Sequence, residues 1–192
     1  MIKIKISRMQ IFNLNTSTKI FLATLAYRVV SFMRSTIGKS DNLVINRKGI
    51  LWNLDLKEGI DFSIYILGEF EKSTFSFYKS ILREGDVVFD VGANIGDQTL
   101  PIAKLIGPTG KVFAFEPTEY AFNKLKKNVE LNFELASRIK LVNAILTSEK
   151  RYSVKTEIYS SWPLGNEKDL HNQHLGKLKN TLGAKVFTLD EF

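Results

Sequence analysis

Five residues carry most of the chemistry open to this chain. Asp90, Gly92, Asn94 and Gly96 fall within seven positions, and Glu116 follows 20 residues past the last of them. Glycine at 92 and 96 lets the backbone turn sharply and approach a ligand closely, and a helix start behind the glycines is expected to offer open N–H donors to a negative or polar group. An acid at the position of Glu116 accepts the two hydroxyls of an adenosine ribose when it ends the neighbouring strand. Together the spacing points to a nucleoside site.

The elements that must position these residues are readable on either side of them. Val87-Val-Phe-Asp-Val91 is a continuous apolar run ending in an acid, the pattern of a strand buried on both faces of a parallel sheet. A helical pattern opens at Ile95, continues through Leu100, Ala103 and Ile106, and stops at Gly107-Pro-Thr-Gly110. Pro101 falls near its first turn, where no intrahelical acceptor is lost. A second strand, Lys111–Phe115, ends at Glu116-Pro117. A helix capped by Thr118 carries Phe122, Leu125 and Val129 on one face, and a third strand runs over Ile139–Ile145. Strand, helix, strand, helix, strand with short loops is a βαβαβ unit, half of a Rossmann-like fold.

Departures from known fingerprints narrow the nucleoside. The dinucleotide pattern G-x-G-x-x-G needs glycine at 94 and 97, where the chain has Asn94 and Asp97. A carboxylate at 97 would oppose a pyrophosphate. S-adenosylmethionine (SAM) has no phosphate, carries a sulfonium and an ammonium, and suits an acid such as Asp90. Asn94 tolerates left-handed backbone angles and can stand where related loops have glycine. No G-K-[ST] follows the loop, which excludes a P-loop.

Asp90-Val-Gly-Ala-Asn-Ile-Gly96 with Thr99-Leu100, Gly110-Lys-Val-Phe-Ala-Phe-Glu-Pro117 and Leu125-Lys-Lys-Asn-Val-Glu-Leu-Asn132 resemble the FkbM-type SAM-dependent methyltransferases. Upstream, Leu51-Trp-Asn-Leu-Asp-Leu56 and Gly68-Glu-Phe-Glu71 are similar to segments preceding the domain in that family, so the resemblance covers roughly residues 50–192. It implies an α/β, Rossmann-like class I SAM-dependent methyltransferase fold and O-methylation of natural products or sugars. By position, Asp90, Gly92, Asn94 and Gly96 would line the methionine and ribose side of SAM, and Glu116 would hold the ribose hydroxyls. Val186-Phe-Thr-Leu-Asp-Glu-Phe192 resembles the segment before the family's fourth core strand, whose Asp-Val-Glu-Gly pattern has no match here. The expectation is therefore a fold incomplete at its C-terminus.

Composition bounds what else the chain can be. Its 192 residues are 44% hydrophobic and 24% charged, an ordinary globular balance. With Cys 0 there is no disulfide and no thiolate site. The two histidines, His171 and His174, form no H-E-x-x-H pattern, so no metal is expected. The net charge of +7 is unevenly placed: residues 1–50 hold nine Lys or Arg against the single acid Asp41, and the remainder is close to neutral. Lys19 and Arg28 interrupt an apolar stretch too short to span a bilayer core, which takes about 20 residues, and no signal-peptide cleavage site follows. A cytoplasmic protein is expected. The helical segment with Phe21, Leu22, Leu25, Val29, Val30 and Phe32 is expected to pack on the body, and peripheral membrane contact through residues 1–40 is the alternative.

Two short strands around Arg47-Lys-Gly49 read as a hairpin, Ile60–Phe70 is rich in aromatic and β-branched residues, and Glu71–Leu82 reads as a helix. The expected organisation is a basic α+β cap over 1–72 joined to the N-terminal part of a SAM-binding domain over 73–192. Tyr152–Tyr159 alternates like a strand, and Ser160–Pro163 is a turn. His171 and His174 would share a helical face as a general base candidate, with surface side chains the commoner reading. Trp162 is expected to pack rather than stack on substrate.

The function expected is methyl transfer from SAM to a hydroxyl on a small molecule or glycan, with no nucleic-acid partner and an unassigned catalytic residue. A nicotinamide-dependent oxidoreductase stays open as an alternative. So does a non-catalytic nucleoside-binding fragment whose basic arm contacts RNA or membrane.

Overall fold

The computed structural model describes residues 16–148, 156–160, 162–165, 170–171 and 176–192; His174, Tyr152, Ser161 and the basic residues Lys3, Lys5 and Arg8 lie outside them. α1 (Thr16–Thr36) turns one face inward. Tyr27 is buried with its ring edge-on to Phe62 at 5.9 Å, and Ala23 and Val30 pack beside it. The hydroxyls of Tyr27 and Ser31 both donate to Asp41 at 2.9 Å. The helix thus packs on the body, but on a narrower face than its apolar spacing suggests. Phe21, Leu22, Leu25, Val29 and Phe32 remain exposed, and of the six expected positions Val30 alone joins the core. No helix among the described residues is long and apolar enough to cross a membrane.

The hairpin forms as expected. β1 (Asn42–Arg47) and β2 (Ile50–Asp55) pair antiparallel through a turn at Lys48 and Gly49, both with positive φ, the tight hairpin geometry that matches strand twist. Alternation sends Trp52, Leu54 and, just beyond the strand, Leu56 into the core. Among the described residues no strand pairs with the other edge of β2, and side chains take over the ladder. Leu51 N–H donates to Asn132 (2.9 Å), Asn53 N–H to Asn128 (2.8 Å) and Asp55 N–H to Asp61 (2.7 Å). An edge strand whose donors are occupied in this way cannot template pairing with another chain.

α2 (Gly59–Leu67) occupies the run rich in β-branched and aromatic residues. Burial of Ile60, Phe62 and Ile64, on more than one side of the helix, outweighs their strand propensity. α3 (Lys72–Ile81) follows.

The βαβαβ unit is built from β3 (Val87–Val91), α4 (Thr99–Leu105), β4 (Lys111–Phe115), α5 (Glu119–Leu131), a single turn α6 (Phe133–Ala136) and β5 (Ile139–Val142). The strands are parallel in the order β3-β4-β5, with Val88 opposite Val112 and Val112 opposite Ile139. Val112 and Ala114 are buried on the helix-covered face together with Leu100, Ala103, Leu125 and Val129. The architecture is α/β and Rossmann-like.

Three expectations change in detail. The helix expected from Ile95 begins at Thr99, because residues 92–98 turn instead. The third strand breaks at Asn143, whose side chain donates to the Glu116 carbonyl at 2.8 Å, and β6 (Ala144–Leu146) leaves to pair elsewhere. β3 is covered on one face only: Val87, Phe89 and Val91 are exposed, and the Phe192 ring meets Phe89 edge-on at 6.0 Å.

β7 (Glu157–Ser160) pairs antiparallel with β8 (Lys177–Asn180). β9 (Lys185–Phe187) lies parallel to β6. Among the described residues no strand pairs with the outer edge of β3. The buried side chains of the hairpin, α2 and the βαβαβ unit form one continuous core.

Asn128 ties these layers together. Fully buried, it accepts from Asn53 N–H and donates to the Ile95 carbonyl at 2.9 Å, joining β2, α5 and the loop after β3. Asn128→Leu keeps the volume but orphans both backbone groups. A loss of about 3 kcal/mol, or a drop of roughly 6–12 °C in melting temperature, is expected in a calorimetric scan.

Candidate functional site

The loop between β3 and α4 is built from alternating left-handed residues: Gly92 (φ 84°), Asn94 (φ 47°) and Gly96 (φ 94°). Asn94 adopts the conformation its side chain tolerates best among non-glycine residues. The two glycines serve different ends. A Cβ on Gly92 would meet no atom within 4 Å, so that backbone faces open space, whereas a Cβ on Gly96 would lie 2.9 Å from the Leu125 side chain. Gly92 leaves room for something outside the chain, and Gly96 lets α5 pack against the loop.

Four N–H groups of this loop are occupied within the protein. Gly92 and Ala93 N–H both donate to the Phe115 carbonyl at 2.9 Å, Asn94 N–H to the Glu116 carboxylate at 2.9 Å, and Gly96 N–H to the Ala93 carbonyl at 2.8 Å. These bonds lash the loop to the end of β4. They leave those four donors unavailable to a phosphate.

Glu116 sits at that end, 4% exposed. Besides Asn94 N–H, its carboxylate accepts from the Thr118 N–H at 2.9 Å and the Thr118 hydroxyl at 2.6 Å. An ionised carboxylate has about four acceptor sites, so capacity for one more bond remains. Asp90, at the end of β3, accepts from the Thr99 hydroxyl. Burial raises its pKa against that hydrogen bond, and the nearby Glu116 charge raises it further. The structure thus brings Asp90, Gly92, Asn94, Gly96 and Glu116 to the carboxyl ends of two adjacent parallel strands, where open α/β sheets bind ligands.

Beside the loop lies a cavity of about 370 Å³ between β2, α2, α3 and α4. Its walls include Ile50, Trp52, Ile64, Phe70, Pro101 and Leu105, and Asp97 and Gln98 enter it from the loop. Two buried polar atoms of these residues, Trp52 Nε1 and Gln98 Oε1, have no hydrogen-bond partner. Asp97 is half-buried in the cavity wall. Burial pushes its pKa up to about 7 against a hydrogen bond from Gln98, and the charges of Asp90 and Glu71 add to the rise.

Sequence reasoning used Asp97 only as an argument against pyrophosphate. Its place one residue after the glycine loop was the available signal. Trp162 packs as expected, stacked on Phe70 at 5.8 Å, and His171 lies edge-on to Tyr159 at 4.6 Å.

Opposite the cavity, Lys124 of α5 forms a buried ion pair with Asp61 of α2. Burial lifts the Asp61 pKa to about 6 in spite of the lysine. For Asp61 and Asp97 the folded values exceed the unfolded one of about 4, so their contribution to stability is complete at low pH and is lost as pH rises through about 6 and 7. The melting temperature should fall between about pH 4 and pH 7. Asp97→Asn, which carries no charge to bury, should melt about 4 °C or more above wild type at pH 8 and close to it at pH 4; scans of both proteins across that range check this.

No family model matches the chain. Among solved structures it is similar to TYW2 of M. jannaschii in complex with AdoMet, at 25% identity over 54% of this chain and 43% of that one, with a TM-score of 0.39. It is also similar to a SAM-dependent O-methyltransferase from Thermotoga maritima (22% identity, 61% and 47% covered, TM-score 0.38) and to Trm5b from Pyrococcus abyssi (23%, 53% and 28%, TM-score 0.39). The chain spans 28% to 47% of the length of these three structures. At such scores the likeness is local, and the functional reading rests on the chain's own residues.

Proposed function

We propose that this chain is a SAM-dependent methyltransferase of the FkbM type that acts on a hydroxyl group of a small molecule or glycan, with residues 1–72 forming a cap on the cofactor-binding unit of 73–192. The observation that carries the reading is the combination at the strand ends. The loop donors at 92, 93, 94 and 96 are all occupied inside the protein, while acids stand on both sides at Asp90 and Glu116. A dinucleotide needs N–H donors for its pyrophosphate and meets carboxylates instead. SAM needs no phosphate site and brings positive charge.

The residues fit that cofactor. Open space above Gly92 admits close approach, the remaining acceptor capacity of Glu116 would take a ribose hydroxyl, and the Asp90 carboxyl, which accepts from the Thr99 hydroxyl, would offer negative charge to the cationic methionine end. When bound, SAM supplies an electrophilic methyl carbon on sulfonium sulfur: the acceptor oxygen takes the methyl, the C–S electron pair stays on sulfur, and the hydroxyl proton passes to a base. The protein's part is to hold the acceptor in line and away from water. Asn128 and Glu116 keep the loop in position for this, from the α5 side and the β4 side respectively.

Transfer of radiolabelled methyl from SAM to a panel of hydroxyl compounds tests the reading. Label in an acid- and base-stable ether product supports it. Absence of label in every product, with the protein folded and SAM bound, would contradict it.

A further inference from the structure

We propose that the cavity beside the glycine loop is the acceptor site, and that it takes a compact, largely apolar alcohol or phenol rather than a sugar, with Asp97 receiving its hydroxyl. This inference rests on the methyltransferase reading for the word acceptor, though not for the cavity itself. At about 370 Å³ the space falls at the small end of ligand pockets, which span about 300–1,000 Å³. Its walls are aromatic and aliphatic, from Trp52, Ile64 and Phe70 on the cap side to Pro101 and Leu105 on α4.

A sugar carries a hydroxyl on nearly every carbon, and each would need a partner inside. The inner walls supply few. Trp52 Nε1 is a buried donor without an acceptor, Gln98 Oε1 a buried acceptor without a donor, and the Asp97 carboxyl adds acceptor capacity beside them. The other charged groups that line the cavity have contacts of their own: Lys48 pairs with Glu69 at 2.5 Å, Lys104 donates to the Lys48 carbonyl at 3.0 Å, Glu71 accepts from the Thr74 hydroxyl at 2.9 Å, and Lys79 lies over the Phe75 ring at 4.8 Å. That set matches one hydroxyl on an apolar body.

Position decides which hydroxyl matters. Asp97 directly follows Gly96 and lines the cavity. A hydroxyl bonded to Asp97 therefore lies next to the glycine loop. The high pKa of the carboxyl fits a group that can take up a proton near neutral pH.

The test uses the 192-residue protein without SAM. Trp52 and Trp162 are its two tryptophans, so Trp162→Phe leaves Trp52 as the sole indole reporter in the cavity wall. Benzyl alcohol is titrated against Trp52 emission, with methyl glucoside as the comparison. A saturable response to benzyl alcohol, none to the glucoside, and a loss of about tenfold or more in apparent affinity in Leu105→Phe are expected, since the larger ring fills the cavity. SAM affinity, measured by calorimetry, should stay within about twofold in that variant.

Should Leu105→Phe fail to fold, Asp97→Asn serves in its place, with a loss of about tenfold expected from the missing charged acceptor. No saturation, equal response to the glucoside, an unchanged titration in the filling variant, or loss of SAM binding on filling the cavity would each overturn the proposal. Saturation by benzyl alcohol in a protein that binds no SAM would overturn the cofactor reading and leave the cavity assignment standing.

Discussion

Glu116→Ala should lose both SAM affinity and part of the fold. The carboxylate bonds three internal donors: Asn94 N–H, Thr118 N–H and the Thr118 hydroxyl. Hydrogen bonds to a charged group contribute about 1.5–3 kcal/mol, and the donors left behind are buried at Thr118 and half-buried at Asn94, so a net loss of about 3 kcal/mol is expected. For a chain of this length that lowers the melting temperature by roughly 6–12 °C. Affinity for SAM should fall at least about 100-fold, because a ribose hydroxyl loses its acceptor and the loop loses the anchor of Asn94. Calorimetric scanning and titration of the purified variant read the two effects separately. A variant that melts like wild type and binds SAM equally well would remove Glu116 from both roles.

Gly92→Val should strike binding harder than stability. The position has φ 84°, which a β-branched residue resists at about 1–3 kcal/mol. No atom of the protein opposes the added side chain, so no packing clash adds to that cost. The space the side chain enters is the space proposed for the cofactor, and a loss of about 100-fold in SAM affinity is expected. Gly96→Ala is the contrast: its Cβ presses on Leu125, so stability should fall first and affinity only as a consequence. Equal SAM affinity in Gly92→Val and wild type would reduce the loop to a turn.

The parallel unit was legible because both its signals are local. Uninterrupted apolar runs at 87–91 and 111–115 and the breakers at 107–110 locate two strands and the end of a helix without knowledge of any neighbour. The positive φ at Asn94 was legible for the same reason, being a property of one residue type. What the sequence concealed depends on contacts between distant segments. Whether the loop N–H groups are free turns on Phe115 and Glu116, more than 20 residues away, and the capping of β2 turns on Asn128 and Asn132.

α2 was hidden by composition. Its β-branched and aromatic residues argue for a strand until burial against α1 and β2 is known. The outward apolar face of α1 shows the converse limit, since periodicity identifies an apolar helix without saying which side packs. Asp97 stood in plain view beside the glycine loop, but its high pKa comes from burial beside a cavity that distant residues of β2 and α2 help to enclose.

The measurement that bears most directly on the cofactor is a calorimetric titration of the wild-type chain with SAM, S-adenosylhomocysteine and NADH under one set of conditions. Occupied loop donors and flanking acids predict saturable binding of SAM and S-adenosylhomocysteine and no heat of binding with NADH. Saturation by NADH with no response to SAM would contradict the account.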